Sequence, residues 1–554
     1  MTATGWAGSS ALPSAAWLGR IRLYRGCRRG QAREPWEACV SEGDKAAEIE
    51  QRRARAGLQG GAEAIAKQHG RGRLTIRERI DRVLDASSFR EVGPIAGKSE
   101  VAADGSTSFT PGNFVVGFGR IGGRNCVVAG EDFTQAAGSP NAAGLRKSVY
   151  TEELAIQYRV PLVRFHEGSG GSVGGSDKAG PSLPEALHGR HRFLSVAQAL
   201  ATVPVVSAAV GTVAGLPAGR LVSSHYTVMT RTSQVIIGGP ALVERALGMK
   251  VSKEDLGGPT IHEKSGVVDD VVEDEAAAFD AVRTFLSYLP QNVWELPPRR
   301  ATDDPPGRMD AALDGIVPAN RRRVYDIRAV VRSVLDQGSF FEMGRRFGPG
   351  QVVGLARLAG YPVGIFANDV RHFGGAITAD GAQKLRRFVE FCQTFHLPVI
   401  SFVDEPGFMI GPEAERAATM RYGAMALATV ALATVPWATV RVRKSMGLAS
   451  YAHVAPGAFV LAWPTVEMGA LPLEGGVAVA FKHEIAQAED PAAKRAELEA
   501  ELAARQSPFR QADGFAVHDL IHPRETRPRL ADWIELVQPL LTAQLGPSSF
   551  SYRP

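Results

Sequence analysis

Two short apolar runs, VPLVRF from Val160 and LPVISFV from Leu397, each stop abruptly in glycine: HEGSGGSVGG follows the first and DEPGFMIG the second. Rich in β-branched residues, they predict strands buried on both faces, as the strands of a parallel sheet are. Ahead of each, the chain reads as an apolar strand, a Gly/Ser loop and a helix. Strands alternating with helices in this way predict α/β units. The longest uncharged run, Tyr422 to Val440, is almost long enough to cross a bilayer, but Thr429, Thr434, Pro436 and Thr439 interrupt it. It reads as a buried helix leading into a buried strand, and no membrane association is expected.

The two runs belong to an internal repeat. The stretch from Glu131, EDFTQAAGSPNAAGLRKSVYTEELAIQYRVPLVRFHEGSGG, lays without a gap over the stretch from Asn368, NDVRHFGGAITADGAQKLRRFVEFCQTFHLPVISFVDEPGF. Asp132 falls on Asp369, Lys147 on Lys384, Pro161 on Pro398 and Glu167 on Asp404. Downstream, ALATVPVVSAAVGTVAG meets ALATVPWATVRVRKSMG at a slightly shorter offset, so that Gly215 falls on Gly447. The segment Glu295 to Asp310, ELPPRRATDDPPGRMD, is rich in proline and charge and separates the copies. We therefore expect two homologous α/β domains, over residues 46–300 and 301–554, behind an extension over residues 1–45.

A chain of 554 residues is indeed too long for one core. Its formal net charge of +5 hints at an anionic partner, but Arg20, Arg22, Arg25, Arg28, Arg29 and Arg33 all precede the first acid, Glu34. Those six arginines exceed the whole excess, so nucleic-acid binding has no global electrostatic support. The first 45 residues are Arg-rich and acid-poor, like an organelle transit peptide, yet they show no clear amphipathic helix and read as a disordered extension. Cys27, Cys39, Cys126 and Cys392 have none of the paired spacings of a zinc ribbon or disulfide framework. No metal is expected, and the compartment is cytoplasmic, or the mitochondrial matrix if the extension is a targeting segment.

A glycine turn that follows a buried strand and opens a helix leaves backbone N–H groups unpaired. Such donors suit an anion or a developing oxyanion, and glycine admits a ligand close to the backbone. A plain strand-to-helix turn has the same composition; that both copies place one at the same strand end favours a site. EGSGGSVGG is not a dinucleotide fingerprint, because it sits deep within a domain and lacks the later acid. Nor is a nucleophilic triad present: Ser169, Ser172 and Ser176 are not in a G-x-S-x-G elbow, and His166 and His372 read as turn or packing residues.

Longer motifs then narrow the class. GRGRLTIRERIDRVLDASSFREVG from Gly70, GGPTIHEKSGVVDD from Gly257, YDIRAVVRSVLDQGSFFEM from Tyr325, FVDEPGFMIG from Phe402 and LAWPTVEMG from Leu461 closely resemble the carboxyltransferase β subunits of biotin-dependent acyl-CoA carboxylases, of the propionyl-CoA carboxylase type. The resemblance runs from about Lys45 to the C-terminus. It implies two crotonase-like ββα-spiral domains, the first binding acyl-CoA and the second carboxybiotin. The biotin is not bound covalently here but arrives on a biotin carboxylase/biotin carboxyl carrier subunit. It also implies a homo-oligomer, commonly a hexamer, with sites between the first domain of one copy and the second of another. On the family's SGGAR, Gly170 and Gly171 fall where amides hold the thioester oxygen; on RKAYGGAY, Leu448 and Ala449 fall where amides hold the biotin carbonyl. Ser169, Ser172, Tyr451, Gly407 and Phe408 fall beside the substrates.

This chain departs from the family at Ser172 and Val173, which replace the alanine and arginine of SGGAR. Leu448 replaces a glycine, adding bulk and disfavouring positive φ. Tyr451 stands where propionyl-type members often carry an acid that helps choose acyl length. Lys250, in LGMKVSKED, follows a methionine as the modified lysine of a biotin carrier does, but Val251 stands where the second methionine belongs, and Lys250 reads as a surface residue. Two other classes stay open: a scaffold subunit without turnover, and a crotonase-type decarboxylase or hydratase. A hydratase needs a glutamate pair at the acyl α-carbon, and only Glu167 immediately precedes the first glycine turn.

Overall fold

Two eight-stranded sheets repeat each other strand for strand. The computed structural model describes residues 42–104, 106–170, 191–321, 323–505, 507–550 and 552–554. The chain forms two units divided after Glu50. Helix Glu42–Gly57 begins in the first unit, and all that follows lies in the second.

The first sheet opens with β1 (Arg90–Glu91); a separate hairpin of β2 (Gly97–Val101) and β3 (Thr107–Pro111) comes next in the chain. Then come β4 (Phe114–Ile121), β5 (Arg124–Glu131), β6 (Leu162–Gly168), β7 (Val205–Ala214), β8 (Tyr226–Thr230), β9 (Gln234–Ile236) and β10 (Asp270–Val272). The order is β1-β4-β5-β6-β7-β8-β10, with β9 beside β7. The second sheet holds β11 (Phe341–Met343), β12 (Gln351–Leu358), β13 (Tyr361–Asn368), β14 (Val399–Glu405), β15 (Trp437–Met446), β16 (Phe459–Ala462), β17 (Glu467–Gly469) and β18 (Asp519–Leu520). Its order is the same one repeat on, with β17 beside β15. In both, the first three strands are antiparallel and the rest parallel.

Register follows the repeat residue by residue. Val127 opposes Leu162 and Leu162 opposes Val205; Gly364 opposes Val399 and Val399 opposes Trp437. The register shift between His166 and Gly168 recurs between Val403 and Glu405, so each central strand is re-aimed just before its glycine turn. Each opening hairpin is also tied the same way. Asp85 accepts the amides of Gly122 and Gly123 at 2.9 and 2.7 Å, and Asp336 those of Ala359 and Gly360 at 3.0 and 2.8 Å.

Helices pack onto the strands because their ends are capped and their inner faces are apolar. Asn141 accepts the Gly144 amide at the start of Ala142–Tyr158, and Thr378 the Gly381 amide at the start of Ala379–Thr394. Phe366 of β13 faces one core while its neighbours Ile365 and Ala367 face another, so the second sheet is covered on both sides. The first of these cores draws on both sheets, with Phe285 stacked on Phe391 at 5.8 Å. The uncharged run does split into helix Thr419–Leu432 and strand β15, as its sequence predicts.

Candidate active site

The central strand of each sheet delivers its glycine turn from a rigid base. In the first copy, Glu167 is fully buried beneath the turn, paired with Arg79 at 2.7 Å and Arg73 at 3.1 Å, and it accepts a hydrogen bond from Gln68. Beyond Gly168 the Ser169 amide donates to the Ala137 carbonyl at 3.3 Å. Gly170 then meets Gly215 at the end of β7. A Cβ on Gly170 would lie 2.6 Å from the Gly215 Cα, and one on Gly215 would lie 2.7 Å from the Gly170 Cα. Two backbones touch here, and only glycine at both positions permits it. Gly215 also holds φ +65 and starts the short helix Leu216–Val222. Among the described residues, the Gly170 amide has no hydrogen-bond partner. Gly171, Ser172 and Val173 lie outside the described residues.

The second copy repeats the geometry with different residues. Gly447, at φ +59, donates its amide to the Gly469 carbonyl at 2.8 Å and turns the chain into the short 3-10 helix Leu448–His453. The first amides of that helix, Leu448 and Ala449, have no acceptor among the described residues. Positive φ falls on Gly447 and not on Leu448, so the leucine costs no backbone strain and its side chain turns half outward, 53% exposed. Tyr451, 66% exposed, lies one turn further along the same helix.

On the other wall, Gly407 holds φ +134 and its carbonyl accepts the Ile377 amide at 3.1 Å. The Phe408 ring is turned inward, packed where Gly423 leaves room on helix Thr419–Leu432.

The acids of the second copy are divided differently. Asp404, at the place of Glu167, is buried and accepts from Tyr325 and Arg443, each at 2.9 Å. Glu405, where the first copy has Gly168, is buried too. Its Oε1 accepts the Met446 amide at 3.1 Å, while its Oε2 has no partner. Burial, reinforced by the Asp404 charge, pushes the Glu405 carboxyl up from 4.5 to about 8. This carboxyl ties the ends of β14 and β15 together, its bonded amide two residues before Leu448, and no sequence motif singled it out. The signal was present in the overlay, as a glycine facing a glutamate at a strand end.

His166 is buried with Nδ1 at 3.3 Å from Glu131, and burial pushes its pKa down against the opposing pull of that carboxylate. Lys250 is on the surface, as its sequence context suggests. Among the described residues no group of His, Cys, Asp and Glu could hold a metal ion.

Two repeated sheets, each ending in a turn that presents backbone amides, define the crotonase-like class of acyl-thioester proteins. Residues 67–538 match the carboxyl transferase domain, and the chain belongs to that family. It is 36% identical to the carboxyltransferase subunit of propionyl-CoA carboxylase from Haloferax mediterranei, over 88% of this chain and 95% of that one. It is 33% identical to the mitochondrial propionyl-CoA carboxylase beta chain of Homo sapiens, over 94% and 95%. The α subunit of methylmalonyl-CoA decarboxylase from Veillonella parvula is 30% identical over 86% and 92%. Among solved structures, transcarboxylase 12S, a hexamer with methylmalonyl-coenzyme A bound, superposes with a TM-score of 0.80 at 29% identity, covering 94% of this chain and 99% of that one.

Proposed function

We propose that the protein transfers a carboxyl group from carboxybiotin, presented by a separate carrier subunit, to the α-carbon of an acyl-CoA. The observation that carries this reading is the pair of unpartnered amide groups, Gly170 at one strand end and Leu448 with Ala449 at the equivalent one. Loss of the α-proton places negative charge on the thioester oxygen. The Gly170 amide, together with that of Gly171, donates to this oxygen. Leu448 and Ala449 donate to the ureido oxygen of biotin. Biotin, when bound, supplies the carboxyl group and then the base. Each such donor is worth roughly 3–4 kcal/mol to a transition state, and a fixed backbone amide needs no reorganisation to act.

Glu167 is held by Arg79, Arg73 and Gln68, which argues against hydratase chemistry. Exposed apolar residues follow the strands beside both turns: Ile237, just after β9, with Leu242 and Leu247 on the helix Pro240–Leu247 that follows, and Ile410, Tyr451 and Leu471 in the second copy. Such surfaces on a water-soluble chain mark contacts with other chains. The chain assembles as a homo-oligomer, hexameric like transcarboxylase 12S, with the first half-site of one copy closing on the second of another. Among the described residues no helix is long and apolar enough to cross a membrane, and the reaction takes place in the cytoplasm or a mitochondrial matrix.

The substrates are short or branched acyl-CoAs, in keeping with the propionyl and methylmalonyl relatives. The test supplies a carboxylated biotin carrier and a panel of acyl-CoAs and measures malonyl-type products, and it supplies methylmalonyl-CoA to read the reverse transfer. Transfer to at least one acyl-CoA is expected. A folded oligomer that transfers to none, in either direction, would leave the scaffold reading in its place.

A further inference from the structure

A cavity of about 480 Å³ opens between the two copies, at the hairpin end of the sheets. Pro161, at the foot of β6, lines it, whereas the glycine turn leaves the head of that strand. The cavity is therefore a strand's length, roughly 20 Å, from the half-site. Five arginines line it, Arg124, Arg283, Arg299, Arg300 and Arg357, and no acid does.

Two of these charges are balanced at the rim: Arg283 by Asp280 at 3.1 Å and Arg299 by Glu535 at 3.0 Å. The other three have no carboxylate within ion-pairing distance among the described residues. Arg357 is buried, and it donates to the carbonyls of Ser287 at 2.7 Å, Pro298 at 3.0 Å and Gly360 at 3.2 Å. Arg124 donates to the Leu286 carbonyl at 3.1 Å and to Gln291 at 3.4 Å. Neutral carbonyls hold these heads in position without cancelling their charge. The Arg300 side chain is exposed and makes no hydrogen bond among the described residues. Burial pushes the pKa of Arg124 and of Arg357 down; Arg300 and Arg124 press Arg357 in the same direction, while Glu295 opposes the shift at Arg124 and Tyr288 and Asp336 oppose it at Arg357.

Like charges held together at the edge of water, with no carboxylate paired directly to them, impose a repulsive cost that a bound anion would reduce. The guanidinium fork fits phosphate oxygens in particular, and the cavity is the size of a small-molecule site. We propose that this cavity is a second ligand site, for a small molecule bearing a pyrophosphate group. A nucleoside diphosphate and the diphosphate of a coenzyme A nucleotide share that chemistry.

Calorimetric titration of the full-length protein with inorganic pyrophosphate, ADP and coenzyme A tests the proposal, on the wild type and on the Arg124→Gln/Arg300→Gln variant. Wild-type protein should take up pyrophosphate saturably, more weakly in high salt, and the double variant should bind it at least tenfold more weakly. The circular dichroism spectrum and the thermal midpoint without added anion should be the same in both, showing that the variant is folded. ADP binding lost in the variant would assign the nucleotide source, and a fall in coenzyme A stoichiometry would assign coenzyme A. Should the double variant fold poorly, Arg300→Gln alone touches only an exposed side chain and reads the same loss. Absence of saturable pyrophosphate binding, or equal binding by wild type and a folded variant, would overturn the proposal.

Discussion

Glu405 and Gly168 occupy the same place in the two copies, and the difference has a measurable cost. A carboxyl raised to about 8 holds its proton more tightly in the folded chain than in the unfolded one. Its contribution is most favourable below the unfolded value near 4.5 and is lost progressively as pH rises to about 8, above which the penalty is constant. The full loss is on the order of 3–5 kcal/mol. Glu405→Gln keeps an acceptor for the Met446 amide and should flatten this part of the stability profile. The urea midpoints of wild type and variant, compared at pH 6 and pH 9, measure it. Equal pH dependence in the two would show that Glu405 ionises as freely folded as unfolded.

Tyr451 stands exposed beside the second pair of amides, so packing within the chain does not account for it. Tyr451→Asp should shift the ratio of kcat/KM between short and longer acyl-CoAs by about 10-fold or more, since a pocket wall discriminates one methylene by ~1–3 kcal/mol. If all acyl-CoAs slow by one factor, Tyr451 does not choose among them. Gly170 shows where sequence reasoning stops. Its place in a glycine turn was legible, but its contact with Gly215 depends on the register of β6 against β7. No local motif encodes that register.

At the scale of elements, the repeat was legible because a strand buried on both faces cannot slip by one residue without turning every side chain to the wrong side. Gapless alignment in sequence thus became identical pairing in the sheets. The loops had no such constraint, and they hold what the sequence concealed. The loop that supports the first turn carries Ala136 and Ala137, both at φ 50, where the second copy has Phe373 at φ 51 and Gly374 at φ 64. Gly138 follows, packed 2.5 Å by its would-be Cβ from the Glu167 carbonyl, so the loop cannot relax away from the strand end. An alanine in this conformation costs roughly 1–2 kcal/mol, and glycine returns some of that through the entropy of the unfolded chain. Ala137→Gly should therefore raise stability slightly, by about 0.5–1 kcal/mol in chemical denaturation. A clear loss of stability would mean that the methyl group packs against something that outweighs the strain.

For the whole molecule, the proposed carboxyl transfer requires the two half-sites to meet. Ile237 and Leu247 in one copy and Ile410 and Leu471 in the other are exposed apolar residues that such a contact would cover. Composition hinted at none of this, because an oligomer surface is about as apolar on average as any other. Complementation between two inactive variants tests the shared site most directly. Gly170→Val should close the first half-site and Gly447→Val the second, each by crowding backbone that a Cβ would meet within 2.6 and 2.9 Å. Each variant alone should lose carboxyl transfer by a factor of at least about 100. Dissociated, mixed and reassembled in equal amounts, they should recover up to roughly a quarter of wild-type activity, because mixed assemblies contain some sites built from the two intact halves. Mixed oligomers that form and remain inactive would contradict a site shared between copies.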